Sequence, residues 1–404
     1  MSLLRSVLST RRRGLCLLAT LLSAAALLPG QGGPQVPAPV PPAATEISPQ
    51  LCNDTANFLG GMKGRPDGPF HDLEASEAWK NYAAQFDKSW ENSQKKQFPA
   101  VDAFQKRELA PIHTNSKFLF YPFSGPDVLY AQRFFPDARL MVFAAKENVG
   151  DVLPPETYKT ANIDKKLAGW RQSISSIFDR TFFVTSEMDQ QFHGSVHNGI
   201  LPLMLLLLAR NGNVIDYVRY VRLTEDGEAV PEAVSAPRHH GVEIHYRHPS
   251  ETQSRILYYF KTDLSQPFKT DPSFSRYLTR QGRSDTLIKS ASFLLHWFQF
   301  AALREYILEN SNLILQDDTG VPYHMLKPKE WQVQLYGEYS HPDKPFVNEW
   351  QTDLADAFKE PGRVKELGFI LGYGSHRRPS SMMLAVRIAP PAAPQTQAQP
   401  QAGN

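Results

Sequence analysis

Apolar residues along the chain fall into short blocks divided by turn-forming residues, and the clearest block lies between Lys117 and Lys146. Phe118-Leu119-Phe120-Tyr121 is an unbroken apolar run that predicts a buried strand. Ser124-Gly125-Pro126-Asp127 predicts a turn opening a helix to Phe135, stopped by Pro136-Asp137, and Arg139-Leu140-Met141-Val142-Phe143 predicts a second strand. Strand, turn, helix, strand is the βαβ order, which implies parallel pairing and a right-handed crossover. Ligands collect at such strand-to-helix turns, where free amides face outward. Ser124 and Asp127 are therefore candidate ligand-binding residues.

Further along, residues 156–178 have a helical pattern, and Ile200 to Ala209 forms a very apolar helix that ends at Asn211-Gly212. Val214 to Leu223 alternates as a strand and runs into the turn Glu225-Asp226-Gly227. Residues 242–262 predict a hairpin: Val242, Ile244 and Tyr246 alternate with polar positions, Pro249-Ser250-Glu251 turns, and Ile256 to Phe260 returns. Leu287 to Glu309 is apolar almost all round and predicts the longest, central helix. Leu313–Gln316, Trp331–Tyr336, Phe369–Leu371 and Met383–Val386 predict further short strands, and no fixed-period repeat is present. The expected fold class is α/β: a mixed β-sheet with one βαβ unit and several antiparallel hairpins, covered by helices.

The two ends differ from the middle. Residues 1–30 carry Arg5, Arg11, Arg12 and Arg13 followed by an apolar run from Leu15 to Leu28. As a helix that run spans about 21 Å, short of a hydrocarbon core of about 30 Å, which fits a signal peptide better than a membrane span. Arg11-Arg12 also resembles a twin-arginine leader. Export by either route, to the periplasm or outside the cell, is the expectation, with membrane attachment through an uncleaved leader as the alternative. Residues 31–50 are a proline-rich linker, residues 51–388 a single large globular domain, and residues 389–404 a disordered tail of Pro, Ala and Gln.

Charge narrows the function. Four of the 43 basic residues sit in the leader and only Glu46 of the 41 acidic residues precedes residue 51, so the expected domain is close to neutral. It carries no excess of positive charge with which to displace counterions from a phosphate backbone, which argues against nucleic acid as a partner. Cys16 lies in the leader, so Cys52 is the sole thiol of a processed chain and no intrachain disulfide can form. Nothing near Cys52 in sequence would activate it.

Four short motifs carry a resemblance: Tyr121-Pro122-Phe123-Ser124-Gly125-Pro126-Asp127, Lys289-Ser290-Ala291-Ser292-Phe293-Leu294-Leu295-His296, Leu315-Gln316-Asp317-Asp318-Thr319-Gly320-Val321-Pro322 and Leu371-Gly372-Tyr373-Gly374. Together, over about residues 115–375, they resemble a family of exported bacterial proteins to which no activity is assigned. The resemblance implies bacterial origin and export, and it transfers no catalytic residues. Ala144-Ala145-Lys146-Glu147-Asn148 departs from the Gly-Leu-Glu-Pro stretch expected after the second strand.

Candidate chemistry centres on the expected long helix. At about 100° per residue, Asp285, Lys289, Ser292, His296 and Gln299 share a stripe about 80° wide on an otherwise apolar surface. Such a stripe faces either hydrogen-bonding partners on a neighbouring element or a hydrated cleft that holds a ligand. Asp317 and Asp318 follow a strand and could act as acid and base or hold a cation, although an ordinary Asp-Asp-Thr-Gly turn explains them too. His376 and Arg377, in a glycine loop that begins at Gly372, would suit a carboxylate or phosphate. His193 and His197 have zinc-pair spacing, and His239, His240, His245 and His248 cluster on the hairpin, but no complete metal signature emerges. Gly60-Gly61-Met62-Lys63-Gly64 lacks P-loop spacing, no Gly-x-Ser-x-Gly elbow occurs, and no cofactor is expected. The expected function is that of a cell-envelope binding module for a small molecule, sugar or peptide; the alternative is an extracytoplasmic hydrolase built on His296 with Asp317 or Asp318.

Overall fold

The structure is a computed structural model that describes residues 45–112, 117–159, 162–179, 181–182, 199–374 and 379–388. The signal-like leader, most of the linker, the C-terminal tail and the residues His193, His197, His376 and Arg377 lie outside the described residues.

Twelve strands form one mixed sheet: β1 (Glu46–Ile47), β2 (Phe118–Pro122), β3 (Leu140–Ala145), β4 (Val214–Leu223), β5 (Ala229–Pro231), β6 (Gly241–Arg247), β7 (Arg255–Lys261), β8 (Ser284–Ile288), β9 (Ser311–Gln316), β10 (Trp331–Gly337), β11 (Val364–Lys365) and β12 (Ser381–Arg387). Their spatial order is β1-β4-β6-β7-β3-β2-β8-β9-β12-β10-β11, with β5 beside β4. The centre, β7-β3-β2-β8-β9, is parallel throughout. The flanks are antiparallel, apart from the short parallel pair β10–β11. The expected α/β class with a mixed sheet is thus what the chain forms. The last residues of the stretch read as linker are structured: β1 pairs with β4 and a helix starts at Pro49.

Helices cover both faces: α1 (Pro49–Leu59), α2 (Glu77–Lys96), α3 (Phe98–Phe104), α4 (Val128–Phe134), α5 (Ile163–Asp179), α6 (Leu201–Arg210), α7 (Ser273–Arg280), α8 (Ala301–Asn310) and α9 (Thr352–Lys359). None of the described helices is long and apolar enough to cross a membrane. Side chains alternate between the faces, so Leu119, Tyr121, Met141 and Phe143 join one core with α1, α2, α4 and α6, while Phe118, Phe120, Val142 and Ala144 join another with α7 and α8. Both faces being covered is why β2 reads as an unbroken apolar run instead of an alternating one.

The largest correction concerns residues 285–309. The expected long helix does not exist. Ser284–Ile288 is the buried strand β8, wedged between β2 and β9, and the chain then turns through left-handed backbone at Ser290, Ser292 and Phe293 (φ 55°, 52° and 56°). Two 3-10 turns follow, Leu294–His296 and Phe298–Phe300, and the helix proper begins only at Ala301. An apolar run buried on all sides satisfies a parallel strand and a core helix equally well, and periodicity cannot separate them. Pairing on both edges of β8 decides the matter. The five-residue polar stripe therefore has no helix to lie on. Phe369–Leu371 is likewise not a strand, although Phe369 and Leu371 are buried.

Connections explain where a ligand site belongs. From β2 the chain crosses through α4, on the first core's face, to β3. From β8 it crosses through α8, on the second core's face, to β9 on the other side. The neighbours β2 and β8 therefore send their following loops in opposite directions and leave a crevice at their carboxyl ends, the topological switch point of an open α/β sheet.

Candidate functional site

At that crevice β2 ends at Pro122 and the backbone turns sharply, with Phe123 and Gly125 at positive φ (59° and 50°) and the Phe123 amide donating to Ala144 O at 2.8 Å. The turn delivers Asp127 to the start of α4, where its Oδ1 accepts the Tyr130 amide at 3.2 Å. Its Oδ2 accepts the Tyr121 hydroxyl at 2.8 Å and lies 2.5 Å from Lys289 Nζ. Lys289 is the first residue after β8; its ammonium also donates to the Thr181 carbonyl and sits 4.0 Å from the centre of the Tyr130 ring. Side chains of this pair are 1% and 2% exposed.

Burial drives both groups toward their neutral forms. It pushes the Asp127 carboxyl up and the Lys289 ammonium down, and their mutual attraction offsets only part of each change. Tyr121 is pushed well above the ordinary tyrosine value by burial and by the neighbouring Asp127 charge.

The end of β9 fastens this corner. Asp317 Oδ2 accepts the Ser290 amide at 2.7 Å, and its Oδ1 accepts the Thr319 amide at 3.0 Å and the Thr319 hydroxyl at 2.6 Å. Thr319 Oγ1 accepts the Ala291 amide at 2.7 Å. The acidic turn thus holds the strained backbone after β8 in place. Ser292 Oγ and Tyr373 Oη are 2.8 Å apart, which brings the Gly372 loop to the same corner.

Together these segments line a cavity of about 770 Å³. Phe123, Leu294, Phe300, Phe346 and Tyr373 supply apolar surface, and Ser124, Asp127, Lys289 and Ser290 supply buried polar groups. The hydroxyls of Ser124 and Ser290 are buried without a hydrogen-bond partner among the described residues. Lys146 also borders the cavity and pairs with Asp263 at 2.9 Å. The cavity falls within the 300–1,000 Å³ typical of small-molecule sites, and it is mostly apolar with a few placed polar groups.

Of the sequence candidates, Ser124, Asp127, Lys289 and Ser292 line this cavity, and Asp317 braces it. The rest separate. Asp285, at the other end of β8, borders a cavity of about 100 Å³ with Lys117 and Asp137. Gln299 is exposed. Asp318 is buried, with its carbonyl accepting Gln351 Nε2 at 3.0 Å, and does not line the cavity. His296 pairs through Nδ1 with Glu349 at 3.3 Å and packs edge-on to Phe293, outside the cavity lining. Burial pulls its imidazole down to about 4 against the attraction of Glu349.

The hairpin histidines serve local contacts: His245 meets Glu243 at 2.6 Å, His240 meets Glu232 at 2.8 Å, His239 stacks on Tyr220 and His248 pairs with Ser250. The described residues contain no cluster suited to a metal ion. Cys52 is fully buried, which pushes its thiol up to about 12. Sequence reasoning missed Tyr121, Ser290, Phe346 and Tyr373 as parts of the site. Tyr121 and Ser290 were within reach, each standing at the carboxyl end of a buried strand, whereas Phe346 and Tyr373 come from distant loops. No family model matches this chain, and neither a curated protein nor a solved structure matches it.

Proposed function

We propose that this protein is an exported binding protein for a small organic molecule, held in the cavity at the β2–β8 switch point. The observation that carries the reading is the cavity itself: a metabolite-sized space, walled by aromatic rings, with two buried hydroxyls that lack a partner among the described residues and a buried ion pair at the carboxyl ends of parallel strands. Leaving a buried hydroxyl unpaired costs about 1–3 kcal/mol, which a bound polar group repays. Export is supported by the arginine-rich leader and by the resemblance to exported bacterial proteins. The hydrolase reading has no such support, since neither His296, which pairs with Glu349, nor Asp317 or Asp318 lines the cavity.

A fragment library screened by ligand-observed NMR tests the proposal. Thr262 is a half-buried residue bordering the cavity, and Thr262→Trp places an indole in the space. Compounds that bind the wild type should lose affinity at least tenfold in that folded variant. A screen whose compounds bind the plugged variant equally well, or that yields no binder, would refute the assignment.

A further inference from the structure

Lys289 differs from the other lysine at the cavity. Lys146 is exposed and serves a surface pair with Asp263, whereas Lys289 is sealed from bulk water and still borders the cavity. Its fixed neighbours are a carboxylate, a backbone carbonyl and an aromatic face. Two hydroxyls without a partner among the described residues, Ser124 and Ser290, border the same space. An amine beside a proton acceptor, with hydroxyl donors nearby and an apolar chamber around them, is the equipment needed to condense with a carbonyl group.

We propose that Lys289 captures a small aldehyde or ketone as a covalent imine inside this cavity. Resting on the binding reading, this names the ligand's reactive group. Asp127 takes one proton from the Lys289 ammonium and leaves a free amine. The nitrogen lone pair forms the C–N bond, the carbonyl π pair moves to oxygen, and a proton passes from nitrogen to that oxygen to give a carbinolamine. Asp127 then returns its proton to the departing hydroxyl, which leaves as water while the nitrogen lone pair closes the C=N bond. The product is a protonated imine beside the Asp127 carboxylate, so the charge pair is restored and no further reagent is consumed. Ser124 and Ser290 supply hydrogen bonds to the carbonyl oxygen as charge builds on it. Burial favours the scheme because it depresses the Lys289 ammonium, and among the groups around it Asp127 and Asp317 oppose that effect.

Reductive trapping tests this on the whole purified protein. Propanal and benzaldehyde are offered with sodium cyanoborohydride at pH 7, and modified lysines are mapped and timed by peptide mass spectrometry. Lys289 should be alkylated at least tenfold faster than exposed lysines such as Lys80 and Lys95. Folded Ser124→Ala should slow that reaction at least threefold without slowing the exposed lysines, and Thr262→Trp should abolish it at Lys289 alone. An unmodified Lys289, or one no faster than the exposed lysines, overturns the proposal. If fragments still bind the cavity in that case, the binding reading survives and the covalent step alone fails; if none bind, both fail.

Discussion

Replacing Asp127 by Asn isolates the charge of the buried pair. Asparagine keeps the shape and, with its oxygen in the place of Oδ1, caps a helix about as well as aspartate; its amide nitrogen then replaces Oδ2, so the Tyr121 hydroxyl must turn to accept and the Lys289 ammonium loses its counterion. Removing one partner of a fully buried pair costs about 3–5 kcal/mol. Lys289 can escape when its folded pKa drops below the pH, at about 1.4 kcal/mol for each unit by which the pH lies below the unfolded value of about 10.4, or about 5 kcal/mol at pH 7. The unfolded variant then binds more protons than the folded one between those two values, so its stability rises with pH. Urea denaturation of Asp127→Asn at pH 7 should show a loss of about 3–5 kcal/mol against wild type, and that deficit should shrink by pH 9.5. Lys289→Met added to it removes the orphaned charge and should recover at least about 2 kcal/mol. A single-variant loss under about 1 kcal/mol at pH 7, or a deficit that widens in alkali, would refute the picture of a desolvated pair.

His296, held down to about 4 by burial, should contribute stability that is fully present above about pH 6.5 and fades as pH falls toward 4, by at most about 3 kcal/mol; His296→Gln should flatten that part of the denaturation-against-pH curve. Cys52 should resist thiol reagents in the native protein and react only at the rate of unfolding, whereas rapid labelling would contradict its burial. Gly372 stands at φ +58°, where an added methyl would collide with the Asp317 carboxylate. Gly372→Ala should therefore cost more than about 1 kcal/mol in thermal unfolding and weaken ligand binding by dislodging Asp317 from the Ser290 amide.

Where local pattern and tertiary environment agree, expected and observed elements coincide. Val214–Leu223 is a strand over the residues the alternation marks, and the 242–262 hairpin pairs antiparallel across Pro249-Ser250-Glu251. The β2-α4-β3 unit follows its turn signals, because Ser124-Gly125-Pro126-Asp127 can do little except turn and cap. The long helix α2 is absent from the expected elements, although its Ser76 cap and its buried Trp79, Tyr82, Ala83, Phe86 and Trp90 follow helical spacing. The stretch 285–309 fails for a different reason: a doubly covered strand followed by left-handed residues leaves no periodic trace that a helix would not also leave.

Sequence alone determined the α/β class, the βαβ unit, the charge-neutral body and the turn that presents Ser124 and Asp127, because each depends on residues close in the chain. Tertiary structure decided that Lys289 meets Asp127 across 162 positions and that Asp317 braces Ser290, while His296 stands aside. Those outcomes come from strand order. Placing β8 beside β2 and sending their crossovers to opposite faces opens the crevice, and strand order is settled by the summed burial of both sheet faces, which no short window of sequence contains.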